Sequence, residues 1–115
     1  YDEIDIALDP FPFNGGTTSY EAIWMGVPVL TVTGSALMGR QTTSLMKAVG
    51  HPEFVADSKS SFVEAAVTIT ADLDRLAEVR AGLRGAAARS VFDGVRFTRS
   101  LEDAICAAWR AAGAD

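Results

Sequence analysis

The chain has 115 residues, the length of one domain, and its hydrophobic fraction of 49% is enough to bury a core. The formal net charge of -5, with Lys and Arg scattered along the chain, excludes the basic face that nucleic-acid binding requires. The single cysteine, Cys106, excludes an internal disulfide framework and favours a reducing, cytoplasmic setting, and no apolar run is as long as a membrane span.

The first half of the chain alternates between strand and helix patterns. Short apolar runs predict a buried strand over residues 4–8, a second strand at Val29–Val32 that is apolar throughout, and a third over residues 54–56. Helices are predicted over residues 17–25 and 40–49, and each is followed by a glycine and then a proline, which is a typical stop signal. The strand pattern starts at the first residue, which indicates a piece of a longer protein.

The second half predicts three helices, over residues 58–70, Leu73–Ala88 and 95–112. The last two carry apolar residues at helical spacing, which predicts one packed face on each. The residues of these two faces are Leu76, Val79 and Leu83 on the first, and Phe97, Leu101, Ile105 and Trp109 on the second. Trp24 on the first helix is likewise expected in the core.

Strands that alternate with helices in this way predict an α/β fold with a Rossmann-like parallel sheet and flanking helices. We find no linker or low-complexity segment, so residues 1–115 are interpreted as one compact domain with a helical tail.

The segment between the first strand and the first helix has the chemistry of an anion site. In open parallel sheets, ligands bind beyond the carboxyl ends of the strands. Gly15 and Gly16 allow close approach to the backbone, and the first-turn amides of the helix have no partner within the helix. Thr17 and Thr18 add two hydroxyls there, and Glu21, one turn later, could accept hydrogen bonds from ribose hydroxyls.

A structural alternative uses the same residues. Thr18 and Glu21 have the spacing of a capping box, in which the two side chains satisfy orphan amides of their own helix. Local chemistry does not decide between the two interpretations.

A wider pattern surrounds the turn. It consists of DIALDPFPFNGGTT at residues 5–18 and EAIWMGVPV at residues 21–29, and it continues at Gly34, Gly39, Arg40, Ser44, Leu45, Val49, Gly50 and Trp109. This pattern resembles the C-terminal catalytic half of the protein O-GlcNAc transferase family, which includes bacterial tetratricopeptide-repeat enzymes and plant SPINDLY-type relatives. The resemblance covers essentially the whole chain.

The resemblance implies a GT-B glycosyltransferase, with two Rossmann-like domains facing each other across a cleft, of which this chain is most of the C-terminal, donor-binding domain. It assigns diphosphate binding to Gly15, Gly16, Thr17 and Thr18, and ribose binding to Glu21. The expected donor is UDP-GlcNAc, and the acceptors are Ser and Thr hydroxyls of proteins that bind through upstream domains. The general base is expected outside this chain, so the fragment alone is expected to be inactive.

Two residues of the turn differ from those of the vertebrate members, and both bear on which nucleotide-sugar is the donor. Vertebrate members have His at position 16 and Asp at position 21, whereas bacterial relatives commonly have the Gly and Glu found here. Gly16 is expected to contact phosphate through its backbone alone, which leaves the sugar open, and SPINDLY-type relatives use GDP-fucose. A nucleotide-binding module without catalysis, or a structural domain, are the rival interpretations.

Arg40 is a weak further candidate, because a cation at a helix start could reach the cleft, although a structural ion pair explains it equally well. A chain with one His and one Cys cannot build a zinc site, so no metal and no cofactor are expected beyond the nucleotide-sugar.

Overall fold

The computed structural model describes residues 1–113. Its elements are, in chain order, β1 (Ala7–Leu8), α1 (Thr17–Trp24), β2 (Val29–Val32), α2 (Gln41–Ala48), β3 (Val55–Ala56), α3 (Lys59–Ala71), α4 (Leu73–Ala88) and α5 (Gly94–Ala111). Short 3-10 turns at Leu37–Gly39 and Pro52–Phe54 precede α2 and β3. The order and type of the elements agree with the sequence prediction, and β2 and α4 agree with it residue for residue.

The three strands form one parallel sheet with β2 in the centre. Ala7 of β1 pairs with Val29, and Thr31 further along β2 pairs with Val55 of β3. The predicted α/β fold with a parallel sheet and flanking helices is confirmed. The carboxyl ends of β1 and β2 therefore lie side by side, which is where such sheets bind their ligands.

The first strand is shorter and less buried than predicted. Only Ala7–Leu8 of the expected residues 4–8 forms strand, and the Leu8 side chain is 61% exposed. This strand is at the edge of the sheet among the described residues, so it pairs with β2 alone. An apolar run predicts burial, but burial also needs a neighbour on the other side.

The core lies where the sheet meets its helices. Helix α1 packs against α4 and β2, whereas α2 and α3 pack against β2 and β3. The largest fully buried apolar side chains are Phe54, Ile23, Leu30, Leu45, Met46 and Leu83. The predicted packing face of α4 is confirmed, because Leu76, Val79 and Leu83 are all buried. Full burial of one such side chain contributes about 1.5–3 kcal/mol.

The prediction for the last helix was wrong in one respect. Its apolar stripe exists, but Phe97, Leu101, Ile105 and Trp109 are between 47% and 65% exposed, and α5 has no buried residue among those described. The spacing of apolar residues specifies that a helix has an apolar face, but it does not specify that the covering partner is present. Cys106 is on the same helix and is exposed.

Both predicted helix stops are confirmed. Gly26 after α1 has φ +78 and Gly50 after α2 has φ +88, a left-handed conformation that other residues rarely adopt. At Gly26 a Cβ would also lie 3.1 Å from the carbonyl oxygen of Arg80. These turns send the chain back into β2 and towards β3, so that the strands run parallel.

The start of α2 is held close to the start of α1 by the loop between β2 and α2. Gly34 donates its N–H to the carbonyl oxygen of Gly39 at 2.6 Å, and Asn14 donates its N–H to the carbonyl oxygen of Met38 at 3.1 Å. A Cβ on Gly39 would lie only 3.1 Å from the carbonyl oxygen of Pro12. The two helix N-termini are therefore neighbours at one end of the sheet.

Candidate functional site

The turn that the sequence singled out lies where the sheet-edge rule predicts. It follows β1, and α1 begins at Thr17 immediately after Gly15 and Gly16. The N–H groups of Thr17 and Thr18 have no partner inside the helix, whereas the Ser19 N–H donates to the carbonyl oxygen of Gly16 at 3.0 Å. This arrangement presents partial positive charge and the free N–H donors of Thr17 and Thr18 to an anion.

The capping-box interpretation of Thr18 and Glu21 was wrong. The residue that caps α1 is Gly16, and no side chain makes a capping hydrogen bond there. A capping box would need Thr18 at the cap position, but the helix already begins at Thr17, one residue earlier. The side chains of Thr17, Thr18 and Glu21 are all exposed. The two hydroxyls and the carboxylate are therefore available to a ligand.

A buried carboxylate at the end of β1 holds the turn by a hydrogen bond. Asp9, the residue after β1, is 4% exposed. Its Oδ1 accepts the backbone N–H of Gly15 at 2.7 Å, and its Oδ2 accepts the hydroxyl of Thr31 at 2.7 Å. Asn14 adds to this cluster, because its Nδ2 donates to Thr31 Oγ1 and to the carbonyl oxygen of Pro10, each at 3.3 Å.

A second contact holds the turn from the side of α2. Thr42, which is fully buried, donates its hydroxyl to the carbonyl oxygen of Gly15 at 3.2 Å. The same hydroxyl is 3.2 Å from Ser19 Oγ on α1. Both polar groups of the Gly15 backbone are therefore fixed by side chains, one from β1's end and one from α2.

The exposed face of α1 borders a groove of about 290 Å³. Its lining residues are Thr17, Tyr20, Glu21, Trp24 and Phe92. The ring of Phe92 packs edge-on against Tyr20 and Trp24, with centroid separations of 5.9 and 4.9 Å. Trp24 was expected in the core, but it is 36% exposed, and its ring contacts both Phe92 and the guanidinium of Arg84.

Thr18 faces a different depression from Thr17. It lines a pocket of about 200 Å³ together with Asp9, Pro10 and Ser19, next to β1. Thr17 and Glu21 are one turn apart and share the aromatic groove. The proposed diphosphate and ribose residues are thus brought to one end of α1, with Thr17 and Glu21 on one side and Thr18 on the other.

The first residue of α2 is a neighbour of Gly16 that the sequence did not indicate. Gln41 Oε1 lies 3.3 Å from the position that a Cβ on Gly16 would occupy. The weak candidate Arg40 immediately precedes it and is exposed. The side-chain amide of Gln41 therefore partly occupies the space beside Gly16. The polar groups at this point are the Gly16 backbone and the Gln41 amide.

Other residues of the cluster were also missed. Asp9 and Asn14 were quoted only as parts of the family pattern, and β2 was predicted as apolar throughout although Thr31 is fully buried within it. The signal was present, because a hydroxyl in a strand covered on both faces needs a hydrogen-bond partner. That partner is Asp9, the first charged residue after the neighbouring strand.

Within residues 1–113, no group of three or more His, Cys, Asp and Glu side chains lies close enough to hold a metal ion. No helix in this part of the chain is both long and apolar enough to span a membrane.

Comparison with known proteins identifies the family. Residues 2–101 match the sequence profile of Glycosyl transferase family 41. The chain belongs to glycosyl transferase family 41. Its resemblance to the O-GlcNAc transferases and SPINDLY-type proteins is thereby confirmed.

Individual members of family 41 match almost the whole chain. It is 43% identical over 111 residues to a rice protein named probable UDP-N-acetylglucosamine–peptide N-acetylglucosaminyltransferase SPINDLY, which covers 96% of this chain. It is 35% identical over 107 residues to the Caenorhabditis elegans UDP-N-acetylglucosamine–peptide N-acetylglucosaminyltransferase, which covers 92% of it. A solved structure of a mutant O-GlcNAc transferase from Thermobaculum terrenum superposes on 97% of the chain with a TM-score of 0.87 and 42% identity.

The chain spans only part of these family 41 proteins. It corresponds to 12% of the length of the rice protein, 9% of the nematode protein and 22% of the Thermobaculum chain.

Proposed function

We propose that residues 1–115 are the donor-binding domain of a glycosyltransferase, forming most of the C-terminal domain of a GT-B enzyme. The observation that carries the proposal is the end of α1, where Thr17, Thr18 and Glu21 are exposed and take no part in capping the helix. Membership of family 41 supports the same reading of this turn.

The proposed donor is UDP-GlcNAc. Both relatives named above are described as acting with UDP-N-acetylglucosamine on peptides. The diphosphate would bind at the backbone of Gly15 and Gly16 and at the hydroxyls of Thr17 and Thr18. Glu21 would accept hydrogen bonds from the ribose, because its carboxylate is one turn along α1 on the same groove as Thr17. The acceptors would be Ser and Thr hydroxyls of proteins.

The chemistry assigned to this domain is stabilisation of the leaving group. When the bond between the sugar and the diphosphate breaks, negative charge grows on the diphosphate oxygen. Fixed N–H and O–H donors at the start of α1 stabilise that charge without having to reorganise. Removal of the acceptor's proton is assigned to a base outside these 115 residues. This division of roles makes the isolated chain a binding domain without turnover.

A titration of the chain with nucleotides tests the proposal. UDP, UDP-GlcNAc, GDP and GDP-fucose are added separately to a folded, isotope-labelled sample, and the amide shifts of residues 15–21 are followed. We expect saturable shifts with the uridine compounds at millimolar concentration, since a half-site binds weakly. Amide resonances of residues 66–71, at the end of α3 away from its contacts with Phe11, serve as the internal control.

Each outcome has a definite meaning for this titration. Stronger shifts with GDP-fucose would replace the proposed donor while keeping the donor site. No shift with any of the four compounds in a folded sample would contradict the donor-binding function itself.

A further inference from the structure

The buried carboxylate of Asp9 is the group on which the geometry of the turn depends. It is 4% exposed, and each of its two oxygens accepts a short hydrogen bond, from the Gly15 N–H and from the Thr31 hydroxyl. Hydrogen bonds to an ionised acceptor are about twice as strong as neutral ones. Both oxygens of the carboxylate are therefore used in hydrogen bonds within the protein.

We propose that Asp9 is a positioning residue for the diphosphate site, a role that rests on the donor-binding function proposed above. Two consecutive glycines have the widest conformational freedom in the chain. Asp9 fixes the N–H of Gly15 and Thr42 fixes its carbonyl oxygen, so the peptide plane that leads into Gly16 has one orientation. The amides that follow are thereby aimed away from the sheet, where the diphosphate oxygens would lie.

The choice of a carboxylate supports positioning over simple packing. A negative charge close to a diphosphate opposes donor binding by Coulomb repulsion, so the site bears an electrostatic cost. In a neutral Asn one of the two carboxylate oxygens would be an NH2 donor, so Thr31 could no longer donate to it, and the bonds that remained would be the weaker bonds between neutral groups. The carboxylate is the side chain of this size that accepts from both at once, which links the turn to the central strand.

The crowding around Gly15 shows how closely the turn is fitted to Asp9. A Cβ on Gly15 would lie 3.2 Å from Asp9 Oδ1 and 2.9 Å from Thr18 Oγ1, and it would overlap Ser19 Oγ. The Gly15 backbone therefore lies against all three of these side chains.

The test uses Asp9→Asn in the full-length transferase that carries this sequence, with initial rates measured against donor concentration. A displacement of about 1 Å in a catalytic arrangement can cost about 100-fold in rate. We expect kcat to fall by about that factor, while the KM for the donor changes by less than about tenfold, because positioning acts on the developing charge. A kcat within about threefold of the unsubstituted enzyme would overturn the inference.

A matched control separates positioning from loss of stability. Thr43→Val removes a buried hydroxyl that bonds to Thr33 at 3.1 Å, one residue away from Thr42 but without contact to the turn. We expect this variant to lose stability and to keep its kcat. Equal losses of kcat in Thr43→Val and Asp9→Asn would also overturn the inference.

A second pair of variants covers the case in which Asp9→Asn does not fold. Thr31→Val removes the hydroxyl that holds Asp9 Oδ2, whereas Thr31→Ser keeps it. We expect kcat to fall in the first and to recover in the second. Equal kcat in both would overturn the positioning role of Asp9.

Titration of the isolated chain distinguishes this inference from the proposed function. If UDP shifts the amides of residues 15–21 in the unsubstituted chain and equally in Thr31→Val, only the positioning role fails. If UDP shifts them in neither, the donor site fails as well.

Discussion

Thr42, the second residue of α2, donates its hydroxyl to the carbonyl oxygen of Gly15 at 3.2 Å, across 27 residues of sequence. This bond joins the N-termini of two helices at the end of the sheet. It also leaves the glycine carbonyl with a partner that no local pattern could supply. The candidate site is consequently a tertiary structure, although its most visible sequence signal is local.

Replacement of Thr42 with Val tests this junction. The side chain keeps its volume, but the Gly15 carbonyl and Ser19 Oγ lose their partner, so we expect the free energy of unfolding to fall by about 1–3 kcal/mol. We also expect UDP to shift the amides of residues 15–21 less. Urea unfolding and the nucleotide titration measure the two effects. Thr43→Val is the control, and the same reduction in UDP response there would contradict the prediction.

Thr18→Ala and Glu21→Ala test the two exposed side chains in the full-length transferase. Neither side chain caps α1, so each substitution should change the free energy of unfolding by less than about 0.5 kcal/mol. Loss of Thr18 should lower kcat by about 100-fold or more, because it removes a donor to the leaving group. Loss of Glu21 should mainly raise the KM for the donor. Thr68→Ala, an exposed threonine on α3, should leave both constants unchanged.

Alanine at two glycines should have opposite effects. A Cβ on Gly82 of α4 meets no atom within 4 Å, so Gly82→Ala should stabilise the helix by about 0.5–1 kcal/mol. A Cβ on Gly15 meets Asp9, Thr18 and Ser19, so Gly15→Ala should destabilise the chain and abolish the UDP-induced shifts. Thermal unfolding and the titration check both. Stabilisation by Gly15→Ala would mean that the turn is looser than described.

The exposure of α5 predicts that its apolar stripe contributes little to the stability of the isolated chain. The double variant Leu101→Ser with Ile105→Ser should change the free energy of unfolding by less than about 0.5 kcal/mol per site. Leu83→Ala, at a fully buried position of α4, should cost about 2–5 kcal/mol. Urea unfolding of the unsubstituted chain, the double variant and Leu83→Ala measures these free energies. A large loss in the α5 variant would show that the stripe is covered in solution.

The isolated chain should catalyse no transfer. A radiolabelled donor and an acceptor peptide are incubated with the 115 residues and, separately, with the full-length enzyme, and incorporation is counted. Measurable turnover by the isolated chain would show that the base lies inside it.

The sequence predicted those parts of the fold that depend on local patterns. The Gly26 and Gly50 stops, the β2 run and the buried face of α4 follow from backbone conformation and from spacing, so they were correct. Exposure of Leu8 and of the α5 stripe could not be predicted, because it depends on which neighbours are present.

The candidate site likewise has a part that local sequence predicted and a part that it did not. The glycines, threonines and glutamate of the turn were visible as a local motif, and their roles as ligands of a donor remain predictions. The rejection of the capping box needed the observed start of α1 at Thr17. The supports from Asp9, Thr31 and Thr42 pair residues 6 to 27 positions apart, and no periodicity encodes such pairs.

The bond between Gly15 and Asp9 has a consequence for motion. The Gly15 amide can exchange its hydrogen with solvent only after it separates from Asp9, which Thr31 ties to the central strand. Its exchange should therefore follow the opening of the sheet, at a rate close to that of core amides, and should be slower than in ordinary surface loops. A nucleotide would meet a preformed, stiff surface. The donor would then enter and leave while the turn keeps its shape.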